Sequence, residues 1–190
     1  MTQIQFHGRR GLFAVALWCL LAAACGDDDD NQLPPPKYPV PEWNTFVPTP
    51  ATGTPQEQID RFVEANEIDT TVTASGLVYA IQDPGDGTMP SPNDDILVHY
   101  IGYLVDGTVF DASTSRLPLG ADSRTGELVG RPIEGLIPAW VEGIPLLRES
   151  GRMWMLARPS VAYGNQGIPS RGIDASTVLV FEIELLEVVE

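Results

Sequence analysis

The stretch Val98-His99-Tyr100-Ile101-Gly102-Tyr103-Leu104-Val105-Asp106-Gly107-Thr108-Val109-Phe110-Asp111-Ala112-Ser113 decides the fold of this chain. The aliphatic and aromatic run from Ile96 to Val105 reads as one long strand. Asp106-Gly107 marks a tight hairpin turn whose two central positions both need positive φ. Thr108 to Asp111 then returns as the partner strand. Outward from this pair, Gly76 to Gln82 is a further strand, closed by the Pro-Gly turn at 83–87. Arg152 to Ala157 is another. From Thr177 to Val188, the apolar Leu179, Phe181, Ile183 and Leu185 alternate with polar positions that include Glu182 and Glu184. That period of two describes a sheet with one buried face and one wet face. A helix around Pro138 to Ile144 fits the buried face, because Ile137, Trp140, Val141 and Ile144 recur at i, i+3, i+4 and i+7. The expected class is α+β: antiparallel strands over one short helix.

The chain has 190 residues, enough for one ordinary domain with extensions, and 43% of them are hydrophobic. Acidic residues number 26 against 11 basic ones, a net charge of -15. A nucleic-acid partner is excluded: phosphate recognition needs clustered cations, and here Lys37 is the one lysine among scattered arginines. The two cysteines, Cys19 and Cys25, both lie near the N-terminus. The globular part therefore has no disulfide, no cysteine-based metal site and no cysteine nucleophile. No metal or cofactor is suggested.

Residues 1–24 have the layout of an export signal: Arg9 and Arg10, an apolar run from Leu12 to Leu21, then three alanines before Cys25. The apolar run is shorter than the roughly 20 residues of a membrane span. Residues 25–54 are rich in aspartate and proline and lack apolar periodicity, so they read as a disordered, semi-extended tether. Thr54-Pro55-Gln56-Glu57 has the form of a capping box with proline at the first helical position. It predicts a helix over about 55–66, with a lead-in strand completing residues 55–89.

Several of these blocks resemble a known family. The stretch from Val98 to Ser113 resembles the signature strand pair of FKBP-type peptidyl-prolyl cis/trans isomerases. Leu136-Ile137-Pro138-Ala139-Trp140-Val141-Glu142-Gly143 resembles the start of that family's central helix. Ala162-Tyr163-Gly164 and the stretch from Thr177 to Leu185 resemble its flap base and last strand. The blocks occur in the family's order, and the likeness covers 90–190. The 56–89 lead-in looks like that of bacterial envelope members. The segment 117–131 is longer than the usual family loop, and either Leu119 or Leu128 stands where the family has an aromatic residue on the pocket edge.

The resemblance implies an antiparallel half-barrel of five to six strands wrapped on one short helix. It implies peptidyl-prolyl isomerisation that assists folding of envelope proteins. A low-turnover proline-binding or holdase chaperone module is the alternative. Carried over position by position, Tyr100, Phe110, Asp111, Ile137, Trp140, Tyr163 and Phe181 line an apolar pocket with Trp140 as its floor. Leu136 sits at the rim, Ala162 at the flap base, and Ile173 in a flap that closes over substrate. Arg116 pairs with Asp111 to order the pocket wall. His99, on the strand face opposite Tyr100, is structural. The implied partners are proline-containing polypeptides and macrolide inhibitors. The signal resembles that of bacterial lipoproteins, which implies lipid on Cys25 and a membrane-anchored domain facing the periplasm or exterior.

Overall fold

Thr54 opens the first helix, α1 (Pro55–Ala65), through a complete capping box. Its hydroxyl accepts from the Glu57 backbone N–H at 3.3 Å, while the Glu57 carboxylate accepts from the Thr54 N–H at 2.7 Å. Two of the helix's orphan donors are thereby satisfied. The computed structural model describes residues 37–114, 118–123 and 127–189, all within one compact unit, Pro35–Glu190. The signal at 1–24, Cys25, the first part of the tether and Arg116 lie outside the described residues.

Among the described residues seven strands follow: β1 (Thr71–Val72), β2 (Val78–Asp83), β3 (Asp95–Leu104), β4 (Val109–Ala112), β5 (Arg131–Pro132), β6 (Arg152–Ala157) and β7 (Leu179–Val189). They form one antiparallel sheet in the order β1-β2-β6-β7-β3-β4, with β5 paired to the start of β3. Two of the seven, β1 and β5, are only two residues long. The helix α2 (Pro138–Gly143) starts from Ile137, with Pro138 at its first position, where a missing N–H costs nothing. Among the described residues, no helix is long and apolar enough to cross a membrane.

The sheet buries both faces. On one, Phe181, Ile183 and Leu185 of β7 and Met153 and Met155 of β6 pack with Trp140, Ile144 and Leu77. On the other, Val180, Trp154, Leu156 and Tyr103 pack with Ile59 and Phe62 of α1 and with Phe46. This corrects the expectation of a wet face. Glu182 projects from that second face yet is fully buried. Its carboxylate accepts from Arg152 at 2.8 Å, from the Asn44 side chain at 2.7 Å and from the Asn44 backbone N–H at 3.0 Å. A carboxylate with three donors can occupy a strand position that alternation alone assigns to solvent.

The covering segment is the described part of the expected tether. Residues 37–54 contain no helix or strand, yet they lie on the sheet as a strap. Phe46 meets Phe62, Tyr103 and Trp154 at ring-centroid distances of 5.2, 4.8 and 5.9 Å. The Thr49 N–H donates to the Val105 carbonyl at 2.8 Å, and Asn66 exchanges hydrogen bonds with the Val47 backbone. Proline in this segment removes donors that an extended strap does not use. The buried His99 ring bridges the Ser113 hydroxyl and the Tyr38 carbonyl, each at 3.0 Å.

The β3–β4 turn also differs from expectation. Only Gly107 has positive φ, at 91°, and its N–H donates to the Leu104 carbonyl. Asp106 instead accepts from the Thr108 N–H through its side chain at 3.0 Å. This is the three-residue hairpin with one left-handed glycine, not the two-residue form.

Candidate active site

The site is built where β3, β4, β7 and the start of α2 converge. Tyr100 comes from β3, Phe110 and Asp111 from β4, Phe181 from β7, and Leu136, Ile137 and Trp140 from the turn into α2. Tyr163 comes from the β6–β7 connection. With Leu119, these residues line a cavity of about 150 Å³. A cavity of this size, lined by apolar side chains, accommodates one small ring.

The aromatic walls brace one another. Trp140 meets Tyr100 and Phe181 edge to face, at 5.1 and 5.3 Å between centroids. Phe110 meets Phe181 at 5.6 Å and 85°. Such arrangements set the positive edge of one ring against the negative face of the next. Gly102 lets Phe110 take this place: a Cβ there would stand 2.6 Å from the Phe110 ring tip.

Polar groups are few. The Tyr100 hydroxyl hydrogen-bonds to the Asp111 carboxylate, and its pKa is pushed well above the ordinary phenol value by burial, then by that negative neighbour. Burial likewise raises the Tyr163 hydroxyl, against a lowering by Arg171. The Ile137 N–H and the Tyr163 hydroxyl donate to no described residue, so both can serve something in the cavity. The Trp140 indole N–H is buried without a described partner. An unsatisfied buried donor costs about 1–3 kcal/mol, a cost that packing elsewhere in the domain must offset. Among the described residues, no group of three or more His, Cys, Asp or Glu could hold a metal.

The seven residues expected to line the pocket, and Leu136, all face this cavity. Two expected neighbours do not. Ala162 packs against the core cluster, and Ile173 is 2% exposed within it. Ile173 is held there by paired bonds with Ile168. Leu119, of the two leucines left open, lines the cavity, because its backbone pairs with Val98. Leu128 pairs instead with Ala121. One residue was missed. Arg171 donates at 2.6 Å to Asp111, which lines the cavity. No spacing or pattern marks it in the sequence, since the contact spans 60 positions.

An antiparallel sheet with a short helix on each face, and a small cavity walled by aromatic side chains where α2 begins, is the class of domain that these elements define. The comparisons specify it. The sequence profile described as FKBP-type peptidyl-prolyl cis-trans isomerase matches residues 87–186, and the chain belongs to that family. It is 35% identical over 133 residues to the FKBP-type peptidyl-prolyl cis-trans isomerase FkpA of Escherichia coli, an alignment covering 70% of this chain and 44% of the relative. It is 40% identical over 117 residues to the FKBP-type 22 kDa isomerase of the same species, covering 61% of this chain and 52% of the relative. The chain thus spans about half the length of these relatives. The crystal structure of Escherichia coli FkpA superposes with a TM-score of 0.59 at 32% identity, covering 70% of this chain and 57% of the other. A peptidyl-prolyl isomerase structure from Pseudomonas syringae pv. tomato superposes with a TM-score of 0.58 at 25% identity, covering 76% and 99%.

Proposed function

We propose that this chain is a peptidyl-prolyl cis/trans isomerase that assists the folding of proteins in a bacterial cell envelope, where lipid on Cys25 tethers it to a membrane. The observation that carries the reading is the small apolar cavity lined by Tyr100, Phe110, Trp140 and Phe181, with the Ile137 N–H and Tyr163 hydroxyl left without described partners. Family membership and the two isomerase relatives agree with it.

The reaction breaks no covalent bond. Its barrier is amide resonance, about 18–20 kcal/mol. The planar amide is more dipolar than the twisted one, so a dry site disfavours the planar ground state relative to the transition state. Catalysis requires tighter binding of the twisted form. In this reading the prolyl ring sits on Trp140, with Phe110 and Phe181 excluding water. Ile137 N–H and Tyr163 hydroxyl donate to substrate carbonyls and fix the flanking chain. Asp111 holds Tyr100 in place and takes no part in proton transfer. Macrolides would occupy the same cup.

A protease-coupled proline-peptide assay tests the reading. The wild type should turn over the peptide. Phe110→Ala should lower the rate by about tenfold or more, a loss of about 1.4 kcal/mol of transition-state stabilisation. Tyr163→Phe should weaken binding with little loss of fold. Rates unchanged in both variants would remove the site assignment. A folded wild type with no turnover, but with suppression of client aggregation, would leave a holdase.

A further inference from the structure

The β6–β7 connection folds into a small hairpin of its own. Ile168 and Ile173 exchange backbone hydrogen bonds at 2.7 and 3.1 Å around the turn Pro169–Arg171, which Gly172 closes with φ of 73°. Gly167 has φ of 58°, and a Cβ there would meet the Ile173 carbonyl at 2.2 Å, so the base of this hairpin is tightly fixed. The buried Ile173 anchors it to the core. In that turn, Arg171 reaches the Oδ2 of Asp111, a cavity-lining residue of β4. Asp111 is also engaged by the Tyr100 hydroxyl, and its Oδ1 accepts from the Ala112 N–H. The Arg171 guanidinium therefore links the connection that carries Tyr163 to the strand that carries Phe110 and Asp111.

We propose that Arg171 is a positioning residue that latches the flap to the pocket wall and sets how tightly the cup grips a proline-containing chain. This rests on the isomerase reading of the same cavity. The pair is partly exposed, with side chains 48% and 34% accessible. Exposed ion pairs are weak and screened by salt. The latch thus opens readily to admit an extended chain, and it closes the mouth once the ring is seated. Arg171 is not among the residues that line the cavity, so its loss acts on capture and leaves the rotation step intact.

The test compares wild type, Arg171→Gln and Arg171→Lys on an uncharged proline peptide, between about 20 mM and about 500 mM salt. Turnover and calorimetric affinity are both read. Arg171→Gln should raise KM and Kd about two- to fivefold at low salt with kcat unchanged, and should flatten their salt dependence. Arg171→Lys keeps the charge and loses the planar fork, so it should fall between the two. The melting temperature should stay near that of wild type in both variants. Equal loss of kcat and kcat/KM, or a salt response identical in wild type and Arg171→Gln, would overturn the latch. The Kd series decides the latch even if turnover is absent and the isomerase reading fails. A wild type that neither binds nor turns over the peptide would overturn both.

Discussion

The indole of Trp140 meets the ring of Phe181 edge to face, 5.3 Å between centroids and at 83°. This contact joins the short helix α2 to the central strand β7, and Tyr100 braces the indole from β3. This wall of the cavity is thus part of the core that holds the sheet to α2. Trp140→Ala should cost about 3–5 kcal/mol of stability, the range for emptying a buried aromatic site. A urea melt would show it as a lower midpoint with an unchanged slope. A loss below about 1 kcal/mol would mean that the indole is not part of the packed core.

Gly102 sits beneath the Phe110 ring, which occupies the space a side chain would take. Gly102→Ala should push Phe110 out of the cavity wall. Peptide turnover should fall by about tenfold, while the stability loss stays within about 1–3 kcal/mol, as for other overpacked sites. Activity at the wild-type level would show that Phe110 can lie elsewhere without cost.

Phe46 belongs to the strap and packs with Phe62, Tyr103 and Trp154 on the sheet face opposite the cavity. Phe46→Ala should destabilise the domain by about 1–3 kcal/mol, less than a fully buried ring, and leave kcat/KM unchanged. A thermal melt beside the turnover assay checks this. An unchanged melt would return residues 37–54 to the role of a free spacer.

Tyr100 and Tyr163 both hold their protons more tightly than an ordinary phenol, chiefly through burial. A folded-state pKa above the unfolded value of about 10 gives a stability contribution fully present below that pH and lost as pH rises through the folded values. With no proton transferred in the reaction, kcat/KM should be flat from about pH 6 to about pH 9. A bell-shaped profile in that window would indicate a general acid or base.

Much of this was legible in the sequence because local patterns carried it. The capping box of Thr54 and Glu57 starts α1 as read. The alternation from Leu179 to Leu185 reports the face that packs on α2. The rest depends on contacts between distant positions. Asn44 finds Glu182 across 138 residues, so a proline-rich stretch without periodicity still acquires order, and a carboxylate that alternates with apolar residues is buried. Arg171 was invisible for the same reason: its meaning comes from Asp111, not from its neighbours in the chain. The residues facing the cavity were legible only through resemblance, since Trp140 and Phe181 taken singly read as core.

Exchange spectroscopy on a Leu-Pro peptide tests the central claim most directly, because it reads the cis/trans rate with no coupling enzyme. The wild type should speed exchange far above the spontaneous rate of tens to hundreds of seconds, and Trp140→Leu, chosen to keep the site filled, should lose most of that acceleration. Exchange at the spontaneous rate with folded wild type, or equal acceleration by Trp140→Leu, would contradict the account.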